Sequence, residues 1–371
     1  MDARDIELLI PGPIPVSDQV LEVMGHQVEQ HYGPEWMPFY ERFIARLRRV
    51  FLTAGSVYPI PASGSGGLDA VVGSLTGADG KIGVVANGFF GSRLVEIARS
   101  YSSNVAVLDV PWDRPADPDD VRRWVRTEKL PLIVVVHSDT STGVLNPVRE
   151  IAAAVRAEGA AIIVDAVSSL GGTPVETDAW GLAAVATASQ KCLETPPGLA
   201  PVAITRAGWE VIDRRPASHG WYLNLRVWRR FEHEWAENHP YPVTIPSNLI
   251  HALDRAVQLI LDEGLEKRFE RHRRAQAAVR EGLERIGFRL YQDARWASPT
   301  VTVASPPAGV EANALIRDMR TRGFAISGGL QQLAGKVIRI GHLGTQAHPE
   351  IMRRAVDALE ACLREGAVRR T

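Results

Sequence analysis

Cysteine, excess charge and long apolar runs are all scarce in this chain of 371 residues. The two cysteines, Cys192 and Cys362, are far apart and lack metal-ligand spacing, which argues against a disulfide framework and a thiolate metal site. A net charge of -1 does not favour binding to a nucleic acid backbone, which requires a basic face. No apolar run is long enough to span a bilayer, and the N-terminus lacks the apolar core of a secretion signal. We therefore expect a cytoplasmic protein without a nucleic acid or membrane partner.

Short apolar runs separated by helix-like segments dominate the first half of the chain. They are continuously apolar rather than alternating, as expected for strands buried on both faces of a mostly parallel sheet. The runs are residues 82–86, 105–108, 132–136 and 161–164. This pattern predicts α/β architecture with helical crossovers, in which functional residues follow the carboxyl ends of the strands.

The second half departs from this pattern at a long amphipathic stretch, residues 247–285, in which apolar residues recur at helical spacing: Leu249, Leu253, Val257, Leu261 and Leu265. Strand-like runs near 299–304, 324–327 and 337–340 and a final helix near 347–364 follow it. We predict a smaller C-terminal α/β domain hinged by one long helix. The predicted division is an N-terminal arm at 1–16, a large domain at 17–262 and a small domain at 263–371. The basic run at 271–274 is interpreted as a solvated helix face.

Lysine is rare enough for a reactive lysine to be sought by elimination. Of five lysines, Lys191 alone follows a small apolar strand-like run and lies in a Ser-Gln-Lys-Cys turn before Pro-Pro-Gly. Burial there would lower the pKa of its amine, and a neutral amine forms a Schiff base with an aldehyde. A structural salt bridge is the alternative for this lysine taken alone.

Two further features are consistent with a phosphorylated aldehyde cofactor. Asp165 closes an apolar strand, where it would either cap a helix or pair with a cofactor's pyridine nitrogen. The glycine-rich stretch 62–69 is followed by helical sequence, so its N–H groups would either cradle a phosphate or form a plain turn. It is not a Walker loop, because the Gly-Lys-Ser/Thr ending is absent.

An ordered set of motifs resembles the class V aminotransferases of the fold-type I pyridoxal-5'-phosphate (PLP) superfamily, closest to the alanine–glyoxylate and serine–pyruvate group. The resemblance extends over nearly the whole chain. The motifs are LIPGP at 9–13, the glycine-rich stretch, NGFFG at 87–91, HSDTSTGVL at 137–145, the Asp165 and Lys191 segments, YPVTIP at 241–246 and KVIRIG at 336–341. It implies an α/β fold with a large domain built on a mostly parallel sheet and a smaller C-terminal α/β domain.

The resemblance also implies a role for each matched residue. Lys191 would carry PLP as a Schiff base and move the substrate's Cα proton, and Asp165 would pair with the pyridine nitrogen. Phe90 and Val167 would lie against opposite ring faces, with Thr140 near the ring edge. The implied phosphate ligands are Ser65, Gly66, Gly67 and Gln190, together with Tyr241 and Thr244 of a second subunit, which implies a homodimer with shared active sites. Arg339 would bind the substrate carboxylate, and Gly12 would border the substrate.

Several alternatives accompany these assignments. Phe90 and Val167 are apolar residues of a kind common in cores, and Arg339 has the alternative of bridging a carboxylate within the small domain. The alanine–glyoxylate group commonly has histidine where this chain has Gly67, and tryptophan or tyrosine where it has Phe90. The stretch HEWAENH at 233–239 lacks the histidine pair of a zincin, so no metal is expected.

The resemblance implies ping-pong transamination from a small amino acid, alanine or serine, to a 2-oxo acid such as glyoxylate or pyruvate. The alternatives are a PLP-dependent lyase, or a transaminase for pyridoxamine or 2-aminoethylphosphonate. A desulfurase is not favoured, because Cys362 falls in a predicted helix and Cys192 adjoins Lys191.

Overall fold

The computed structural model describes residues 6–216 and 220–368, with side chains as far as 365. Residues 1–5, on which part of the expectation of no secretion signal rests, lie outside the described residues. No helix in the described ranges combines the length and apolarity needed to cross a bilayer.

Fifteen strands form the sheets of the described chain. They are β1 Glu7–Leu8, β2 Ser56–Pro61, β3 Ile82–Ala86, β4 Val105–Asp109, β5 Leu132–Val136, β6 Ser138–Asp139, β7 Val144–Leu145, β8 Ala161–Asp165, β9 Ala184–Ala186, β10 Leu199–Ile204, β11 Arg289–Leu290, β12 Val301–Ser305, β13 Phe324–Ala325, β14 Ser327–Gly328 and β15 Ile338–Gly341.

Twelve α-helices accompany them in the same described ranges. They are α1 Asp18–Met24, α2 Met37–Phe51, α3 Gly64–Thr76, α4 Phe89–Arg99, α5 Pro118–Glu128, α6 Val148–Ala157, α7 Arg206–Arg214, α8 Leu225–Glu234, α9 Ser247–Glu263, α10 Leu265–Arg285, α11 Ala312–Thr321 and α12 Pro349–Val368.

A seven-stranded sheet in the order β2-β10-β9-β8-β5-β3-β4 forms the centre of the large domain. The strands from β9 to β4 are parallel, and β10 pairs antiparallel with both β2 and β9. All side chains of β3 and β5 are buried, as the continuous apolar runs predicted. The predicted α/β fold with a mostly parallel sheet is confirmed.

A four-stranded antiparallel sheet, β11-β12-β15-β14, forms the smaller C-terminal part with α10, α11 and α12. The N-terminal strand β1 pairs in parallel with β13, and buried Leu9 packs into this smaller core. The predicted arm therefore pairs with small-domain strands, while the domain boundaries themselves stay a prediction.

The stretch predicted as one long helix is two helices. α9 ends at Glu263, and Gly264 has φ 82 before α10 begins at Leu265. A left-handed backbone conformation is easily adopted by glycine, so the chain turns here without a large steric cost. The prediction of a continuous helix from 247 to 285 is wrong at this residue.

Only two of the four residues in the basic run at 271–274 are exposed to solvent. Arg273 and Arg274 are exposed, but His272 is fully buried and accepts a hydrogen bond from the Gly344 N–H at 2.9 Å. Arg271 pairs with Glu263 at 2.6 Å. The prediction is wrong for Arg271 and His272, because His272 lies on the same face of α10 as buried Ala275 and Val279.

Candidate active site

Lys191 lies in a tight turn between β9 and β10. The Ser189 hydroxyl donates to the Pro196 carbonyl at 2.6 Å, and the Thr195 hydroxyl donates to the Ser189 carbonyl at 3.0 Å, which fixes the turn. The Lys191 ammonium donates to the Pro11 carbonyl, and it forms no ion pair with a described carboxylate. Burial lowers the pKa of Lys191 to about 8. The salt-bridge alternative is therefore not what the structure contains.

Asp165 ends β8 and is 5% exposed. Its carboxylate accepts a hydrogen bond from the Val167 N–H at 2.9 Å, and no helix follows it, so it is not a helix cap. Burial raises the pKa of Asp165 to about 7. A carboxylate held this way lacks a full cationic partner, and a protonated ring nitrogen would supply one.

The glycine-rich stretch opens α3, whose N-terminal cap is Ser63. The first N–H groups of a helix have no partner within it, so this end can bind an anion. A Cβ on Gly66 would lie 2.7 Å from the Ala62 Cβ, and one on Gly67 would lie 2.8 Å from the Ala200 Cβ. Gly67 thus lets α3 pack closely on β10, and Gly66 lets the start of α3 lie against Ala62.

Gln190 precedes Lys191 and carries an unsatisfied polar atom. Its side-chain Oε1 is buried and has no hydrogen-bond partner in the structure. Buried polar atoms of this kind are uncommon in native proteins, and they indicate a missing partner such as a water molecule or a ligand. This atom, together with the free helix end, fits a site that is completed by a bound polar group.

Phe90 lies in the first turn of α4, and Val167 follows Asp165. Both side chains are partly buried and line one cavity with Lys191 and Asp165. A Cβ on Gly64 would lie 3.0 Å from Val167 Cγ2, so glycine at 64 leaves room for this contact. The two apolar residues therefore border the cavity as well as packing on the core.

Asp139 positions Phe90, although the sequence did not single it out. Its buried carboxylate accepts hydrogen bonds from the N–H groups of Phe90 at 3.0 Å, Gly91 at 3.2 Å and Ser141 at 2.9 Å. The bonds from Phe90 and Gly91 satisfy two of the N-terminal donors of α4. Its place in the matched stretch 137–145 was the only available signal.

Arg339 on β15 is 8% exposed and points toward the large domain. Its Nε donates to the Gly328 carbonyl at 2.6 Å and its Nη1 to the Thr140 carbonyl at 3.0 Å. No described carboxylate is within ion-pair distance, so the predicted alternative of a bridge within the small domain is absent. Thr140 itself is buried, and its main-chain oxygen rather than its hydroxyl makes the contact with Arg339.

Gly12 lies against the lysine. It has φ +92, and a Cβ there would lie 2.6 Å from both Cδ and Nζ of Lys191. Glycine is therefore required both by the backbone conformation and by the space that the lysine occupies.

Tyr241 and Thr244 are not brought to this cavity. Tyr241 is fully buried, and its hydroxyl donates to the His31 carbonyl, whereas Thr244 is exposed. Neither residue lines the cavity that contains Lys191. Their predicted contact with a cofactor is thus not made within one chain.

The cavity at Lys191 is lined by Ser65, Leu68, Phe90, Arg93, Val136, Ser138, Asp165, Val167, Ser168 and Lys191. Five of these ten residues were not predicted to lie there: Leu68, Arg93, Val136, Ser138 and Ser168. A larger cavity of about 830 Å³ lies between residues 109–114 and 289–336, and it contains none of the predicted site residues. We place the candidate site at Lys191, because the chemically unusual groups lie there. No described group of three or more His, Cys, Asp or Glu side chains is arranged to hold a metal ion.

Comparison with known proteins gives a consistent result. Residues 62–345 match the family model of aminotransferase class-V. The (S)-ureidoglycine–glyoxylate transaminase of Bacillus subtilis is 33% identical, over 96% of this chain and 90% of its own. The structure of alanine–glyoxylate aminotransferase from Nostoc sp. matches with a TM-score of 0.92 at 30% identity, over 98% of this chain and 96% of its own. That of pyridoxamine–pyruvate aminotransferase from Mesorhizobium loti has the same TM-score and identity, over 98% of this chain and 93% of its own.

Proposed function

Because this chain belongs to the class V aminotransferases, with the PLP-dependent fold of type I, we propose that Lys191 holds PLP and that the substrates are small. The chain is a transaminase. We assign it transfer of an amino group from alanine or serine to glyoxylate or pyruvate by a ping-pong mechanism. The observation that carries the proposal is the placement of Lys191 and Asp165 in one cavity next to the N-terminus of α3.

The bound cofactor would supply an aldehyde and an electron-withdrawing ring that stabilises negative charge at the substrate Cα. Lys191 is suited to bind the aldehyde and to move the Cα proton, because its lowered pKa leaves a usable fraction of neutral amine. Asp165 would keep the ring nitrogen protonated through a charge-assisted hydrogen bond. Phe90 and Val167 would confine the ring between them, with Thr140 at its edge.

The phosphate would lie at the start of α3, on Ser65, Gly66 and Gly67, with the Gln190 side chain beside it. From the resemblance to class V aminotransferases we assign Tyr241 and Thr244 to the cofactor phosphate of a second subunit; within their own chain they lie away from the cavity. We therefore propose a homodimer with shared active sites. We also propose that the enzyme is located in the cytoplasm.

Arg339 is assigned to the substrate carboxylate. A planar guanidinium binds a carboxylate through two parallel hydrogen bonds, which orients the Cα–H bond as well as holding the substrate. Arg339 keeps donors beyond the two that it uses on the Gly328 and Thr140 carbonyls. Gly12 and the Pro11 carbonyl lie against the Lys191 side chain, which favours a small donor.

The test is the visible absorbance spectrum of the purified protein, with a Lys191→Ala variant prepared in parallel. For wild type we expect a cofactor band that L-alanine shifts and that pyruvate or glyoxylate restores. Lys191→Ala should not show this band, because it lacks the amine that binds the aldehyde. Lys267→Ala is the matched control, because Lys267 is exposed on α10. Absence of any band after PLP is supplied would refute the proposal.

A second candidate is a transaminase for pyridoxamine, favoured by the 30% identity to a pyridoxamine–pyruvate enzyme. In that case pyridoxamine would give its amino group to pyruvate, and free pyridoxal and alanine would accumulate. Lys191 need not then carry a cofactor through the whole cycle. A band that neither amino acids nor pyridoxamine shifts would instead favour a PLP-dependent lyase.

A further inference from the structure

Arg93 is a cation in the candidate site that the assigned roles leave unused. It lies in the second turn of α4, is partly buried and lines the cavity with Lys191 and Asp165. Its Nη1 is 3.4 Å from the Ser65 hydroxyl, at the proposed phosphate position. No described carboxylate lies within ion-pair distance of it.

Two aromatic rings hold the Arg93 guanidinium in place. Its Cζ lies 4.9 Å from the ring centroid of Phe89 and 4.9 Å from that of Phe90. Cation–π contacts favour this position and limit the rotamers that the long side chain can adopt. The Phe90 N–H donates to the Asp139 carboxylate, which fixes the start of α4. The Arg93 guanidinium, packed on the Phe90 ring, is therefore held beside α3.

The acidic residue nearest in sequence to the phosphate loop is occupied elsewhere. Asp69 lies one turn along α3 from Ser65, and it interacts with Tyr101, whose pKa is raised by burial and then by this carboxylate. Asp165, in the same cavity, interacts electrostatically with Arg93 but makes no ion pair with it. Arg93 therefore keeps hydrogen-bond donors for an anion that is not part of the protein.

The proposed phosphate ligands are all uncharged. Ser65, Gly66 and Gln190 carry only neutral hydrogen-bonding groups, and the Gly67 N–H is donated to the Ser63 carbonyl at 3.1 Å. The partner subunit's Tyr241 and Thr244 would add only uncharged side chains. A phosphate monoester carries about -1.5 to -2 charges at neutral pH. A helix terminus contributes roughly half a positive charge, which leaves most of this charge without a counterion.

We propose that Arg93 is the cationic ligand of the cofactor phosphate. The inference rests on the proposed function, and it adds a specific claim: the charge that selects a phosphorylated aldehyde comes from α4 rather than from the glycine-rich loop. Arginine suits this position because its planar group can bind two phosphate oxygens while its face stays against Phe90.

The test compares two aldehydes that differ only in the phosphate. Dissociation constants for PLP and for unphosphorylated pyridoxal are measured by absorbance titration of the cofactor-free protein and of Arg93→Met, Arg93→Lys and Arg99→Met. Arg99 is the matched control, because it is an exposed arginine on the same helix. Inorganic phosphate is added in a second series as a competitor.

We expect Arg93→Met to weaken PLP binding about ten- to a hundredfold, the usual range for a charged hydrogen bond, and to leave pyridoxal binding within about threefold. Arg93→Lys should fall between the two proteins, and it keeps the test usable if the methionine variant does not fold. Inorganic phosphate should compete with PLP for wild type more strongly than for Arg93→Met.

An equal loss of affinity for PLP and pyridoxal in both Arg93 variants, or no loss for PLP, would overturn the assignment while leaving the proposed function intact. A wild-type protein that captures neither aldehyde would overturn the proposed function, and the Arg93 assignment with it.

Discussion

Replacing Asp165 with asparagine should stabilise the cofactor-free protein and at the same time impair the enzyme. Burial raises the pKa of the Asp165 carboxyl from its ordinary 3.8 to about 7. One pKa unit corresponds to about 1.4 kcal/mol, so the ionised carboxylate costs the folded chain about 4 kcal/mol.

The sign of the pH dependence follows from the direction of this shift. The folded chain holds the proton more tightly than the unfolded chain, so the cost is absent at low pH. It grows as the pH rises from about 4 toward 7 and is complete above the folded pKa. Asparagine removes the charge and keeps an oxygen that accepts the Val167 N–H bond.

The assay is guanidinium chloride unfolding of the cofactor-free protein at pH 5 and pH 8. We expect Asp165→Asn to exceed wild type by about 2–4 kcal/mol at pH 8 and by less than half of that at pH 5. Asp262→Asn, at an exposed position of α9, is the control for a generic change of charge.

The holoenzyme should respond in the opposite direction. Without the carboxylate, the ring nitrogen loses a charge-assisted hydrogen bond, and we expect kcat to fall about ten- to a hundredfold. A variant that gains no stability at pH 8, or the same stability at both pH values, would refute the reasoning from burial. Unchanged kcat would remove Asp165 from the chemistry.

Three further outcomes are expected. Gly12→Ala places a Cβ 2.6 Å from Lys191 Nζ at φ +92, so it should cost about 1–3 kcal/mol of stability in unfolding experiments and weaken PLP capture; unchanged capture would contradict this placement of the arm. The rate of PLP capture at Lys191 should rise with pH and level off above about pH 8, because only the neutral amine reacts; a flat profile in stopped-flow absorbance would contradict it. Arg339→Lys should raise KM for the amino donor at least about tenfold in steady-state assays, since lysine loses the two parallel bonds; an unchanged KM would place the carboxylate elsewhere.

The central sheet was largely predictable, since fully buried parallel strands leave continuous apolar runs in the sequence. The antiparallel pairing of β2 with β10 at the edge of the sheet could not be predicted in this way. β2 contains Pro59 and Pro61, which disfavour a strand, but β2 lies at the edge of the sheet, where a missing N–H is tolerated. The break at Gly264 was likewise hidden, because the apolar spacing continues on both sides and a single glycine occurs in many helices.

Lys191 and Asp165 could be identified from the sequence for a different reason. Lysine is rare in this chain, so Lys191 could be selected by elimination, and Asp165 ends an apolar strand where a charge is conspicuous. Arginine is common, so nothing in the sequence distinguishes Arg93. Its significance comes from lying three residues after Phe90, on the same face of α4, and opposite Ser65 of another helix.

The N-terminal arm contacts both the strand that carries Arg339 and the side chain of Lys191. Arg339 lies on β15. Leu9 donates its N–H to the Ala325 carbonyl of β13 at 2.8 Å, and its own carbonyl accepts the Gly341 N–H of β15 at 2.7 Å. Two residues later, the Pro11 carbonyl accepts the Lys191 ammonium, which belongs to the large domain. A displacement of the strand that carries Arg339 would therefore move the arm, and with it the main-chain oxygen beside the lysine. Since no described carboxylate pairs with Lys191, this short segment would let a carboxylate bound at Arg339, as we propose, change the surroundings of the amine.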